Sequence, residues 1–188
     1  MATFSALDLK KAVTLGEAIH IVGPAKSGKS TLVEHLIRHL ATQVKDKERL
    51  QAVFAFTDNG IASSCDMLQK LKGDNERVFI HEPSVEVLRR IKRMAEVGME
   101  PWLLVVDGVK DKAFMHSEEL QHLFRYCKDY NCTAIVSSDE ARSYPGDTLK
   151  PWATVLFAFW SDNPIWRASL HANAFVKINE KDFDDVFS

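Results

Sequence analysis

Gly23-Pro24-Ala25-Lys26-Ser27-Gly28-Lys29-Ser30, followed by Thr31, is the stretch that decides the fold. It matches G-x-x-x-x-G-K-[ST], a loop that cradles phosphate. Gly23 and Gly28 let the backbone curl until its N–H groups face one anion. Lys29 supplies a charge for the β- and γ-phosphates, and the Ser30 hydroxyl supplies an oxygen for Mg²⁺. The motif requires a strand before it and a helix after it. Glu17–Val22 reads as the strand. From Lys29 to about Ala41 the residues Leu32, Val33, Leu36, Ile37 and Leu40 recur at helical spacing. The helix aims its positive end at the same phosphate. Nucleoside triphosphate binding is therefore expected, with residues 23–31 as the binding segment.

Outward from the loop, strand and helix signals alternate, which predicts an α/β fold with a mostly parallel sheet covered on both faces. Strands are predicted at 51–57, 77–81, 102–107, 133–137 and 154–160, and helices at 84–97 and 118–130. A short helix is expected over 5–12. Residues 167–171 and 175–178 read as an antiparallel closing hairpin through Ala172-Asn173. At 188 residues, 46% hydrophobic and 27% charged, the chain suits one domain with a sizeable core. Net charge is −2, so no global positive field draws in nucleic acid, and any DNA contact has to be local. No apolar run nears the ~20 residues of a membrane helix. The first residues lack the basic start and apolar stretch of a signal peptide. The three cysteines fit no metal spacing, so a reducing, cytoplasmic compartment is expected (the nucleus in a eukaryote).

The run Leu103-Leu-Val-Val-Asp107 ends a buried-looking strand in a carboxylate. Such an Asp often starts a turn. In a chain with a phosphate loop some 80 residues upstream it is also the residue type that holds Mg²⁺ through water. Asp107 and Ser30 are accordingly the expected metal residues.

In order, these segments resemble the core ATPase of the RecA superfamily over residues 15–181. Ile21–Leu32 is similar to its phosphate-loop segment. Ala52–Asp58 resembles its second strand, Pro83–Leu88 the start of a helix, Leu104–Val109 the metal-binding strand, and Thr148–Val155 the approach to a later strand. The resemblance implies a RecA-like P-loop NTPase domain at 16–179, a lead-in at 1–15 and an acidic tail at 180–188. It implies ATP and Mg²⁺ as ligands, Lys29, Asp107 and Asp58 as catalytic residues, and hydrolysis of ATP to ADP and phosphate. It further implies assembly with copies of itself or related RecA-like subunits. Lys177 and Lys181 are then candidates for contacts in trans.

The departures matter as well. Gly60 stands where the family has its catalytic glutamate, and Asp139 is the nearest match to its sensor glutamine. Slow hydrolysis is expected from both. A second resemblance is to the packaging motors of double-stranded DNA viruses, although Gly108 replaces their usual second acid. Arg89, Arg90 and Arg93 form the densest basic cluster, and Arg142 and Lys150 fall in a loop that suits single-stranded backbone; these five are the DNA-contact candidates. The expected role is an oligomeric ATPase acting on DNA in recombination, repair or replication. A packaging or helicase motor and a non-enzymatic nucleotide-binding regulator are the alternatives, the latter with its acidic tail docked on a protein partner.

Overall fold

A computed structural model describes residues 13–43, 50, 52–58, 68, 77–98, 100–139, 152–159 and 161–174. The elements are β1 (Ala18–Val22), α1 (Lys29–Gln43), β2 (Ala52–Phe56), β3 (Val78–His81), α2 (Val85–Val97), β4 (Trp102–Val106), α3 (Lys112–Met115), α4 (Glu118–Arg125), β5 (Cys132–Ser138), β6 (Val155–Ala158) and α5 (Pro164–Ala174). The six strands form one sheet in the order β3-β2-β4-β5-β1-β6. Every pairing is parallel. Parallel strands present all their carboxyl ends on one edge, and that edge is where the loops can meet.

Both faces of the sheet are covered, which explains the unbroken apolar run of β4. Ile19, Ile21, Val53, Ala55, Leu103, Val105 and Ile135 pack against Val33, Leu36, Ile37 and Leu40 of α1. Phe54, Phe56, Leu104, Val106, Ala134 and Val136 face the other way, against α2, α3 and α4. At the β6 side, Trp166 and Leu170 of α5 close over Val22, Leu156 and Ala158. α2 begins where expected: the Ser84 side chain caps it by accepting from Val87 N–H.

Three expectations change. The helix predicted over 118–130 ends at Arg125, because the chain then turns through Asn131 at φ 50° and the Cys132 N–H returns to Cys127 O at 2.7 Å. α3 was not expected; Asp111 caps it, its side chain accepting from Ala113 N–H and Phe114 N–H. The strand predicted over 167–171 is helical instead. Asn163 Oδ1 accepts from Ile165 N–H at 2.9 Å and Trp166 N–H at 3.4 Å, and Pro164 fits the first helical turn. The antiparallel hairpin is therefore not formed by these residues. Its second arm at 175–178, the lead-in helix over 5–12 and the tail at 180–188 lie outside the described residues.

Candidate phosphate-binding site

The 23–30 loop leaves the carboxyl end of β1 and enters α1, as its motif requires. Gly23 N–H donates to Ser138 O at 3.2 Å, which pins the loop to the end of β5. A side chain at Gly23 would put its Cβ 2.6 Å from Phe159 Cβ and 2.9 Å from Ser27 Oγ, so only glycine fits. Gly28 holds φ at +99°, a left-handed conformation that glycine adopts without strain. Leu32 N–H donates to Gly28 O at 3.0 Å and starts the helix. Lys29 is buried, Ser30 is half-buried, and Ala25, Lys26 and Thr31 are exposed. The Ser27 hydroxyl is buried and has no partner among the described residues.

Strand order brings the second half of the site to the first. β5 lies between β1 and β4, so its carboxyl end separates the loop from Asp107. Asp107 continues the alternation of Leu103 and Val105, and Ser137 that of Ile135, so both fall on the α1 side of the sheet. The Ser137 hydroxyl donates to Asp107 Oδ1 and accepts from Gly108 N–H at 3.2 Å. Asp107 is buried, and a carboxylate oxygen is the kind of hard ligand that Mg²⁺ takes. Thr57, continuing Val53 and Ala55, lies one strand further along the same row. Its hydroxyl is buried without a partner among the described residues. Hydroxyl, carboxylate and ammonium groups are the chemistry that a phosphate–metal group requires.

Asp58 is exposed beyond the end of β2. Both its oxygens accept from Lys110 N–H at 3.0 Å, which ties the loop after β2 to the loop after Asp107. Its position is near the row, but its carboxylate is already engaged. Gly60, where the family's glutamate was expected, lies outside the described residues.

Sequence reasoning made Asp139 the nearest match to the family's sensor glutamine, with no contact to Lys29 foreseen. It is in direct contact with the phosphate-loop lysine: Lys29 Nζ lies 2.8 Å from Asp139 Oδ1. The same ammonium donates to Gly23 O at 3.0 Å and to Pro24 O at 2.8 Å. Ser27 was expected only as part of the 23–31 binding segment, and Ser137 and Thr57 had no role assigned. The available signal was weak, since their importance depends on which strands are neighbours.

The basic cluster is less available than its sequence suggests. Arg89 donates to Glu86 Oε2 at 2.8 Å and to Glu119 Oε1 at 3.1 and 2.9 Å. The hydrogen bond and charge of Glu119 are the first causes of its raised pKa. Arg90 pairs with Glu86 at 3.4 Å. Arg93 is exposed on the same helix. Arg142 and Lys150, like Lys177 and Lys181, lie outside the described residues. Trp152 is half-buried against the core beneath the Arg125 guanidinium, 3.9 Å from ring centroid to Cζ, which is a packing role.

No protein-family model and no curated protein matches the chain. Solved structures do share its fold. The DNA-packaging ATPase B204 from Sulfolobus Turreted Icosahedral Virus aligns with a TM-score of 0.62 at 12% identity, over 88% of this chain and 85% of that one. The genome packaging NTPase B204 of Sulfolobus turreted icosahedral virus 2 in complex with ATP-gammaS aligns with a TM-score of 0.62 at 13% identity, over 92% and 87%. The same NTPase with AMPPCP gives 0.58 at 13% identity over the same shares. At this identity the likeness carries the fold, and the fold is that of a P-loop NTPase. Among the described residues, no helix is long and apolar enough to cross a membrane.

Proposed function

We propose that this chain is an ATPase that acts on DNA within an oligomeric assembly, as a motor subunit of the genome-packaging kind. One observation carries the reading. The 23–30 loop and Asp107 meet on one sheet edge, with β5 between them, in a chain whose fold matches packaging ATPases over 88% to 92% of its length. Those neighbours favour a packaging motor over the recombination role that the RecA resemblance implied.

In this reading the N–H groups of residues 25–29 and the Lys29 ammonium bind the β- and γ-phosphates. The Ser30 hydroxyl and Asp107 would hold Mg²⁺, and Ser137 orients the Asp107 carboxylate. The γ-phosphoryl group passes to water with ADP as the leaving group, and Mg²⁺, when bound, would offset charge on the phosphate oxygens. Asp58, next in the chain to Thr57, is the candidate to orient that water once Lys110 N–H releases one of its oxygens. A neighbouring subunit completes the site.

Lys29→Ala tests the reading. Loss of a charge-assisted contact worth about 1.5–3 kcal/mol lowers ATP affinity by tenfold or more, measured by calorimetry on a variant shown by circular dichroism to be folded. Equal ATP affinity in the variant would sink it. Turnover by the free chain is expected below ~10 per second, a typical median for enzymes, and DNA is expected to raise it. A second reading, a nucleotide binder with little turnover, is favoured by the three partners already held by Lys29. ATP binding without any DNA-stimulated hydrolysis would support it over the motor.

A further inference from the structure

An ammonium group has three N–H donors. Lys29 has three acceptors: Gly23 O at 3.0 Å, Pro24 O at 2.8 Å and Asp139 Oδ1 at 2.8 Å. Its donors are all used. A phosphate reaches this lysine only by replacing one of the three. The two carbonyls belong to the loop that wraps the phosphate, and they move only if the loop unwinds. Asp139 is different. It lies just past the end of β5, its side chain is 44% exposed against 7% for Lys29, and water can receive it when it leaves. It is also the one partner that carries the charge of a phosphate.

We infer that Asp139 is a specificity-determining residue that occupies the γ-phosphate position on Lys29 and sets the preference between nucleoside triphosphate and diphosphate. The inference rests on the phosphate-binding reading above. A triphosphate has to evict the carboxylate and then lies beside it, like charge against like. A diphosphate brings only its β-phosphate to Lys29 and leaves the outer position open, so the displaced Asp139 faces less like charge. The wild-type site is thereby biased toward ADP, relative to a site with a neutral residue at 139. The displacement has a short route into the rest of the site. Ser138, next in the chain, accepts Gly23 N–H through its carbonyl and meets His20 Nε2 through its hydroxyl at 3.3 Å. Ser137, one residue earlier, holds Asp107.

The test is calorimetry with Mg²⁺ on the full chain, using AMPPCP and ADP as probes, for wild type, Asp139→Asn and Asp139→Ala. The asparagine keeps shape and hydrogen bonding while removing the charge; the alanine removes both. Both variants are expected to bind AMPPCP about tenfold more tightly, the exposure-discounted effect of removing one like charge roughly 4 Å away. ADP affinity is expected to change by less than about threefold, since no γ-phosphate meets the carboxylate. Equal gains for both probes would mean a generally loosened loop, and unchanged or weaker AMPPCP binding would mean that Asp139 assists the triphosphate. Either result overturns the inference. If wild type binds AMPPCP and Lys29→Ala does not, the phosphate-binding reading stands regardless. If no variant and no wild type binds either probe, both fall. Binding revealed only in the Asp139 variants supports the inference in its strongest form.

Discussion

His20 sits in β1 three residues before the phosphate loop, 5% exposed, with both sheet neighbours in place. Burial lowers its pKa from 6.5 to about 4, so the imidazole stays neutral in the fold. The unfolded chain takes up the proton first. Between pH 6.5 and 4 the unfolded state therefore binds more protons, and stability falls as pH falls through this window. The contribution is complete above pH 6.5; about 2 kcal/mol of it is gone by pH 5. Urea midpoints at pH 7 and pH 5 check this: wild type is expected to lose more than His20→Phe. An equal loss in both would assign the acid sensitivity elsewhere. At this scale the sequence put Lys29 and Ser30 on a strand–loop–helix junction, where a fixed spacing leaves their positions little freedom, and put Asp107 at the end of a buried strand, where the apolar run marked it. Asp139 on Lys29 and Ser137 on Asp107 were out of reach. These contacts join residues far apart in the chain, and they depend on strand order, which periodicity does not encode.

Elements were legible where hydrophobic period and length agreed, as in α1, α2 and β4. They were misread where a cap outweighed composition. Residues 167–171 look strand-like, yet Asn163 and Pro164 start a helix that carries Trp166 and Leu170, four residues apart, onto Val22 and Leu156. Asn163→Ala removes the side-chain acceptor for two N–H groups and is expected to destabilise the protein by about 1 kcal/mol. A urea denaturation series measures it; no change would mean that α5 is held by packing alone. The basic helix offers a parallel case. Arg89 is already satisfied by Glu86 and Glu119, whereas Arg93 is exposed. Arg93→Ala is accordingly expected to weaken DNA binding more than Arg89→Ala does, and to do so alike for all base sequences, as backbone contacts dictate. Fluorescence anisotropy with two unrelated oligonucleotides decides it: the reverse ranking would mean that Arg89 leaves its carboxylates for DNA, and no loss in either variant would remove α2 from the DNA surface.

For the whole molecule, a net charge of −2 leaves one subunit with few phosphates to neutralise. DNA affinity is expected to come from several subunits in register, each adding a weak local contact. A steep dependence of binding on salt should therefore appear only in the assembled, ATP-bound state; an equally steep slope for the monomer would contradict this. The sheet has a further consequence, one of timing. β1 precedes the other five strands of the sheet, but its partners are β5 and β6, and Ala134, the ladder partner of Ala18, lies 116 positions later. At ribosomal speeds of about 5–20 residues per second, roughly 6–23 s pass before that partner emerges. Throughout this delay the apolar stretch Ala-Ile-His-Ile-Val has no ladder on either side. It is an open template for wrong pairing. Nucleotide offers no help, because the loop is pinned only once Ser138 arrives to receive Gly23 N–H. The newborn chain must therefore be shielded by something other than its own ligand, and its yield should depend more on chaperone supply than on the ATP level of the cell.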